Sequence, residues 1–421
     1  MIPIATFLCT FALAQEPSTD TSMQGWTRKT ESENVVSLEI ASRKYIAEGK
    51  PAIWLIGVVH IGDASYYEEV SDLLDEMDMV LYESVRPSGS RAPAGNTEEE
   101  RVKSTALSLE FVADTTKKVI EETGNYPDNI LEVFIETSVL DSRLASWAED
   151  ASVDAWGRPF ALQVDEDKNS LTLWSFGSDG KVGGEGSAAD MTASRTIEIR
   201  DETEIISEEK GMQAEMADIM GLEFQLEGLS YENPTWFCSD LTIGEVEEKF
   251  IERGADPAIL GTITGEAFTA KIASGMMKII PMLDLLLGGG VQDTARLLMI
   301  EILAMPNTAD MMNELDPELN NVIIVDRNSE VLSDIAFAIE EVEDVSSIGV
   351  LYGAGHMDDM SKRLCEKFEY SPVEERWFAS MSVDPSKSLL SQSDMKRMRF
   401  MFEYQMHKMK KLDKKTEDAK D

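Results

Sequence analysis

Two stretches of this chain end in the same way. Residues 51–60 read PAIWLIGVVH and residues 347–356 read SIGVLYGAGH, each an apolar run long enough for one strand, with a glycine and then a histidine three positions later. A strand that is apolar without alternation is covered on both faces, the usual state in a parallel sheet flanked by helices. After the first run, Tyr66, Val70, Leu73, Leu74 and Met77 share one helical face, Ser65 and Glu68 have capping-box spacing, and MVLYE at 79–83 is a second strand. Residues 52–83 therefore predict a βαβ unit. After the second run, Met357, Met360, Leu364 and Phe368 mark another amphipathic helix. Just upstream, NNVIIVDR at 320–327 reads as a further strand, followed by a helix with Leu332, Ile335, Ala336 and Ile339 inward.

The middle of the chain has a different grammar. RPSGSRAPAGNTEEE at 86–100 is loop chemistry, a helix follows over about 99–122, and ALQVDEDKNSLTLWSF is a period-two pair of strands closing on SDGKVGGEGSAAD. DEDKNS at 165–170 starts like an EF-hand loop but has Ser170 and Phe176 where glycine and glutamate are required, so it reads as a solvated hairpin turn. Residues 97–200 are thus expected to form a separate module spliced into an α/β domain made of 15–96 and 201–390. From about 212 the periodicity turns helical again, most clearly in EMADIMGLEFQL. Residues 391–421 form an expected basic C-terminal helix with Met395, Met398, Phe402 and Met409 on one face, and His407 within it is given no role.

With 79 acidic against 38 basic residues, the surface repels phosphate backbones, which argues against a nucleic-acid partner. Residues 1–14, MIPIATFLCTFALA, end in the small-x-small pattern of a cleaved signal peptide, so the protein is expected to be exported to a periplasmic or extracellular location. MMKIIPMLDLLLGGG at 276–290 is too short and too interrupted to span a bilayer, and no transmembrane segment is expected in the mature chain. After cleavage Cys238 and Cys365 remain, compatible with one disulfide or with two buried thiols.

In an open parallel sheet the carboxyl ends of the strands share one edge, where ligands bind. The expected strands bring His60, Glu83, Arg327 and His356 to that edge. The chain has three histidines, and two of them occupy the repeated position. Imidazole and carboxylate together suit Zn, Mn, Co or Fe, and three protein ligands with an open position form a catalytic layout, so His60, Glu83 and His356 are the expected metal ligands. A metal-bound water would be the nucleophile, Glu83 would be either ligand or base, and Arg327 would hold a carboxylate or an oxyanion. The preceding glycines would turn the backbone tightly and expose each ring. Asp63, Glu69 and Asp240 stand in reserve.

GVVH with its helix and VLYE, GLEFQLEGLSYENPTWFCSDLT at 221–242, VIIVDR and LYGAGH together resemble the TraB/GumN/Tiki family, over about 35–92 and 212–385. The resemblance implies an erythromycin-esterase-like mixed-sheet α/β fold. For Tiki-type members it also implies metal-dependent proteolysis through the positions of His60 and His356, with Glu83 and Arg327 alongside, acting on a peptide or protein substrate. Other members sequester peptide pheromones, so a non-catalytic protein that binds a peptide or haem-like ligand is the alternative.

GNYPDN, DAWGRPFAL and LWSFGSDGKVGGEGSAADM are similar to the C-terminal domain of the type II secretion major pseudopilin, over about 99–195. That likeness implies an α+β insert, a calcium ion in the loop after the last strands with Asp179 and Asp190 as side-chain ligands, and contact with a secretion-system or envelope protein. TEEERVKSTALSLEFVADTTKK at 97–118 is too charged to be a pilus-core helix, so pilus assembly is not expected.

Overall fold

The computed structural model describes residues 23, 25–198, 220–254, 290–304, 317–391, 393, 394, 397 and 400. The expected signal peptide, the 276–290 run apart from Gly290, and most of the C-terminal basic segment lie outside these residues.

The chain opens with β1 (Thr27–Glu31), β2 (Val36–Ile46) and β3 (Ala52–Val58), then the two-residue β4 (Ile61–Gly62), α1 (Ala64–Leu74) and β5 (Met79–Tyr82). After the inserted module come β9 (Glu223–Phe224), the short α5 (Gln225–Gly228), β10 (Trp236–Cys238), α6 (Ile243–Glu252) and α7 (Val291–Leu303). The chain returns through α8 (Arg327–Glu341), β11 (Ser347–Gly353), α9 (Met357–Phe368) and β12 (Ser371–Val383). Strands β3, β11, β5 and β10 lie side by side and parallel. Strand β2 pairs antiparallel with β3, β1 and β12, so the seven-stranded sheet is mixed.

Alternate residues of β3, β5 and β11 feed different cores. Trp54, Ile56 and Val58 of β3 face α1 and α7, packing with Tyr66, Val70, Leu73, Ala295 and Ile300. Ile53 and Leu55 face α8 and α9, packing with Val331, Ile335, Met360 and Leu364. Helices on both faces account for the unbroken apolar runs. Gly57 is required for packing: a Cβ there would lie 2.9 Å from the Ala41 carbonyl oxygen and 3.1 Å from Ile40 Cγ2. Gly57→Val is expected to lower stability by about 1–3 kcal/mol through overpacking, measured as a lower denaturation midpoint with an unchanged slope.

The module folds on its own core. It comprises α2 (Glu98–Thr123), α3 (Ile130–Leu140), α4 (Ser142–Asp150) and the antiparallel sheet β6 (Ala161–Asp165), β7 (Ser170–Ser175) and β8 (Met191–Thr196). Leu109, Val112, Ile120, Trp147, Phe160, Leu171 and Leu173 are buried together in it. A reciprocal capping box between Thr97 and Glu100 starts α2, and Gly124 at φ 70° ends it. The 166–168 segment is a single tight turn joining β6 to β7, as its composition implies.

Three local expectations are corrected. Residues 320–327 are helical, not a strand: Pro317–Asn320 opens the helix, Asn321–Asp326 widens into a π-turn, and α8 continues. A short run such as VIIV carries no period that separates strand from buried helix, and here Val322 packs on Leu241, Val246 and Phe250. The α1 start is not a capping box on Ser65 and Glu68. The N-cap is Asp63, whose carboxylate is taken by Arg296 at 2.9 Å and the Ser382 N–H at 2.9 Å. Glu223–Phe224 within EMADIMGLEFQL is not helical either, because it pairs as β9 with β4, and helix begins again at Gln225.

Candidate functional site

Because β3, β11, β5 and β10 are parallel, their carboxyl ends deliver His60, His356, Glu83 and Asp240 to one edge. The fourth strand-end residue is therefore Asp240, and Arg327 enters from the start of α8. The guanidinium still reaches the crevice. Its Nε donates to Asp240 Oδ1 at 2.9 Å, and its Nη2 donates to Asp240 Oδ2 and to Glu83 Oε1, each at 2.6 Å. A π-turn is common beside functional sites, and this one sets where the guanidinium starts.

Glu83 is bound on both oxygens, since Oε2 accepts the Gly353 N–H at 2.6 Å. Burial alone would push its carboxyl up, but the Arg327 charge, with His356, His60 and the Gly353 N–H, overrides burial and holds it well below the ordinary range. The glycine of the second GxxH motif thus provides room and a donor, not a left-handed turn: a Cβ on Gly353 would stand 3.2 Å from Glu83 Oε2.

His356 is buried in a short helical turn, Ala354–His356, that leads into α9. Its tautomer is dictated by Asn328. The Asn328 Nδ2 donates to the His356 carbonyl at 3.0 Å and to Asp359 Oδ2 at 2.8 Å, so its Oδ1 is the atom that meets His356 Nδ1 at 2.7 Å. Nδ1 must carry the hydrogen. Burial pushes the ring down to about 4 against the upward pull of Glu83, so it is neutral at pH 7 and Nε2 is a bare acceptor. That nitrogen faces Glu83 Oε1 at 3.5 Å.

His60 is the contrasting member. It is exposed, and its Nδ1 donates to Gln225 Oε1 at 3.1 Å while Gln225 Nε2 donates to the Tyr231 hydroxyl at 3.1 Å. Both histidines are therefore pinned at Nδ1 by a carboxamide and present Nε2, an orientation typical of ligating or proton-transferring rings. His60 follows β3 and His356 follows its parallel neighbour β11, so both stand on the same sheet edge. Among the described residues, however, no three His, Cys, Asp or Glu side chains are disposed to hold one ion. His356 and Glu83 are the pair that fits, with two acceptors face to face.

Of the reserve carboxylates, Asp240 is in the site, Asp63 is committed to Arg296, and Glu69 is exposed on α1. Asn328, Gln225 and Tyr231 escape sequence reasoning: an amide or phenol has no signature until its neighbours are known, although Asn328 directly follows Arg327. Among the described residues Cys238 and Cys365 are both free, and Cys365 is exposed, so they form neither a disulfide nor a pair of buried thiols. Cys238 donates to the Ser84 carbonyl, and burial pushes its thiol up to about 12, which makes it inert.

Residues 94–194 match the family model of the type II secretion system (T2SS), protein G. The match covers the module and leaves out the α/β body. No curated protein and no solved structure matches the chain significantly. In the module loop, Asp190 Oδ2 accepts the Gly183 N–H at 2.9 Å while Oδ1 is buried with no partner. Asp179 Oδ1 accepts the Lys181 N–H at 3.0 Å. Among the described residues, no helix is long and apolar enough to cross a membrane.

Proposed function

We propose that the crevice is the centre of a metal-dependent hydrolase acting on peptides, as the likeness to TraB/GumN/Tiki proteins implies. The observation that carries this reading is the bare Nε2 of His356 facing the ionised Glu83 at 3.5 Å, because two opposed acceptors are mutually repulsive until a cation or a proton donor joins them. His356 and Glu83 would hold the ion, and His60, which forms no three-residue group with them among the described residues, would stand beside it with its Nε2 free. A divalent ion of the Zn, Mn, Co or Fe class supplies Lewis acidity and a water of lowered pKa.

The remaining roles follow from the protein's own bonds. A carboxylate held as acidic as Glu83 is a poor base, so it serves as an anionic anchor. The exposed imidazole of His60 is the group free to exchange a proton with solvent and substrate. Arg327 is saturated by two carboxylates, so it keeps Glu83 charged instead of binding an oxyanion. The unpartnered Asp190 oxygen supports the calcium expected in the module. The protein G match supports an envelope or exported location and contact with a secretion-system protein.

The test is mass spectrometry of a peptide library incubated with the chain, with calcium kept present. Cleavage is expected in wild type, and a loss of at least about a hundredfold in His60→Ala and in His356→Ala at preserved circular dichroism. Cleavage that survives both substitutions and a transition-metal chelator overturns the reading. The lack of a third close ligand among the described residues favours a second reading, capture of a peptide or haem-like ligand without turnover. In that case ligand is retained by His60 and recovered chemically unchanged.

A further inference from the structure

The inserted module is fastened to the α/β body at the two places where the crevice residues are held. Where the chain enters the module, Gly89 lies so close to α2 that a Cβ would stand 2.1 Å from the Leu107 carbonyl oxygen, and Ser108 Oγ donates to the Arg91 carbonyl at 3.3 Å. Arg91 is thereby fixed to α2. Its Nη2 donates to the carbonyl of Asp240, and its Nη1 donates to Glu330 at 2.6 Å, one turn beyond Arg327 on α8. The carboxylate of that same Asp240 is bound twice by Arg327.

The second fastening is on the His60 side. Arg143 of α4 has its guanidinium carbon 5.6 Å from the centre of the Tyr231 ring, and the Tyr231 hydroxyl accepts from the Gln225 amide that receives His60 Nδ1. Arg86 adds a clamp, with Nη2 on Asp150 at 3.0 Å and its carbonyl accepting the Ile243 N–H at 2.8 Å. The module core and the core of the α1 face are separate clusters, with the half-buried Cys238 packed against both. Polar and cation–π contacts of defined geometry therefore carry the registration between the two bodies.

We propose that the module is a positioning element of the crevice, acting through Arg91 on the Asp240–Arg327 pair and through Arg143 on the Tyr231–Gln225–His60 chain. The inference rests on the crevice being the working site proposed above. It gives the module a role independent of any secretion partner: it holds Arg91 of the entering segment and presents its own Arg143 to residues that hold the site's histidines and carboxylates. Both are positioning residues, since neither touches the opposed Nε2 and Oε1 atoms.

With three histidines in the chain, nitrogen-15 spectra of the full-length protein resolve each imidazole. Arg143→Gln is expected to move the His60 ring signals and leave those of His356 in place. Arg91→Met is expected to do the reverse, and Arg91→Lys, which keeps one donor, to return the His356 signals toward wild type. His407, outside the described residues, is the bystander. Zinc titrated into each protein is expected to bind about tenfold more weakly to Arg91→Met than to wild type, and with wild-type affinity to Arg143→Gln. Rings unmoved in both variants, or all three histidines moving together, overturn the inference. Selective ring movements in a wild-type chain that takes up no zinc would remove the metal reading and leave the positioning role standing.

Discussion

Arg327→Met is expected to cost about 3–5 kcal/mol, the largest loss of stability from any single change at the crevice. Arg327 is 6% exposed, and its guanidinium lies between a fully buried Asp240 carboxylate and the nearly buried Glu83. Methionine fills much of the same volume, so the cost does not come from a cavity. It comes from two carboxylates left facing each other without their shared cation, in a place that water reaches poorly. Asp240→Asn in the Arg327→Met background is expected to recover part of the loss, because the amide keeps an acceptor for the Leu241 N–H and removes one of the charges. The double-mutant cycle in urea is expected to show coupling above about 1 kcal/mol. A single-variant loss below about 1 kcal/mol would mean that solvent screens the pair as it screens surface ion pairs.

The sequence specified much of this arrangement, and the reasons for its failures are local. Strands β3, β5 and β11 and the helices after β3 and β11 were legible because apolar runs and a 3.6-residue period report burial directly. The His60, Glu83 and His356 positions followed from counting what stands after each strand. Arg327 is legible as a site residue but its element is not, because VIIV looks the same as a strand or as a buried helix. Asp240 carries little signal because β10 is three residues long, too short to show a pattern of its own.

The apparent identity of the two GxxH motifs is also local. Gly57 sits inside β3, packed against β2, and His60 beyond it is exposed, whereas Gly353 is at the end of β11 and donates to Glu83, with His356 buried in the turn that follows. One pattern therefore provides two environments, a neutral buried ring and an exposed one. That separation is what a site needs if one imidazole is to hold a ligand while the other exchanges protons.

The asymmetry makes Asn328 the residue with the second-largest expected effect. Asn328 is fully buried, and Asn328→Leu leaves His356 Nδ1–H without its acceptor and takes one donor from the His356 carbonyl, while Asp359 keeps Arg363 at 2.9 Å. At roughly 1–3 kcal/mol for an orphaned buried group the expected loss is about 1–3 kcal/mol. The functional effect has a different cause. With no acceptor at Nδ1, the tautomer protonated at Nε2 gains a hydrogen bond to Glu83 Oε1, which removes the lone pair that would bind an ion. Zinc affinity is then expected to fall by about 10–100-fold, and the His356 nitrogen signals to exchange their protonated and unprotonated positions. A variant that is destabilised yet keeps the wild-type nitrogen pattern would show that Glu83 and burial, not the asparagine, choose the tautomer.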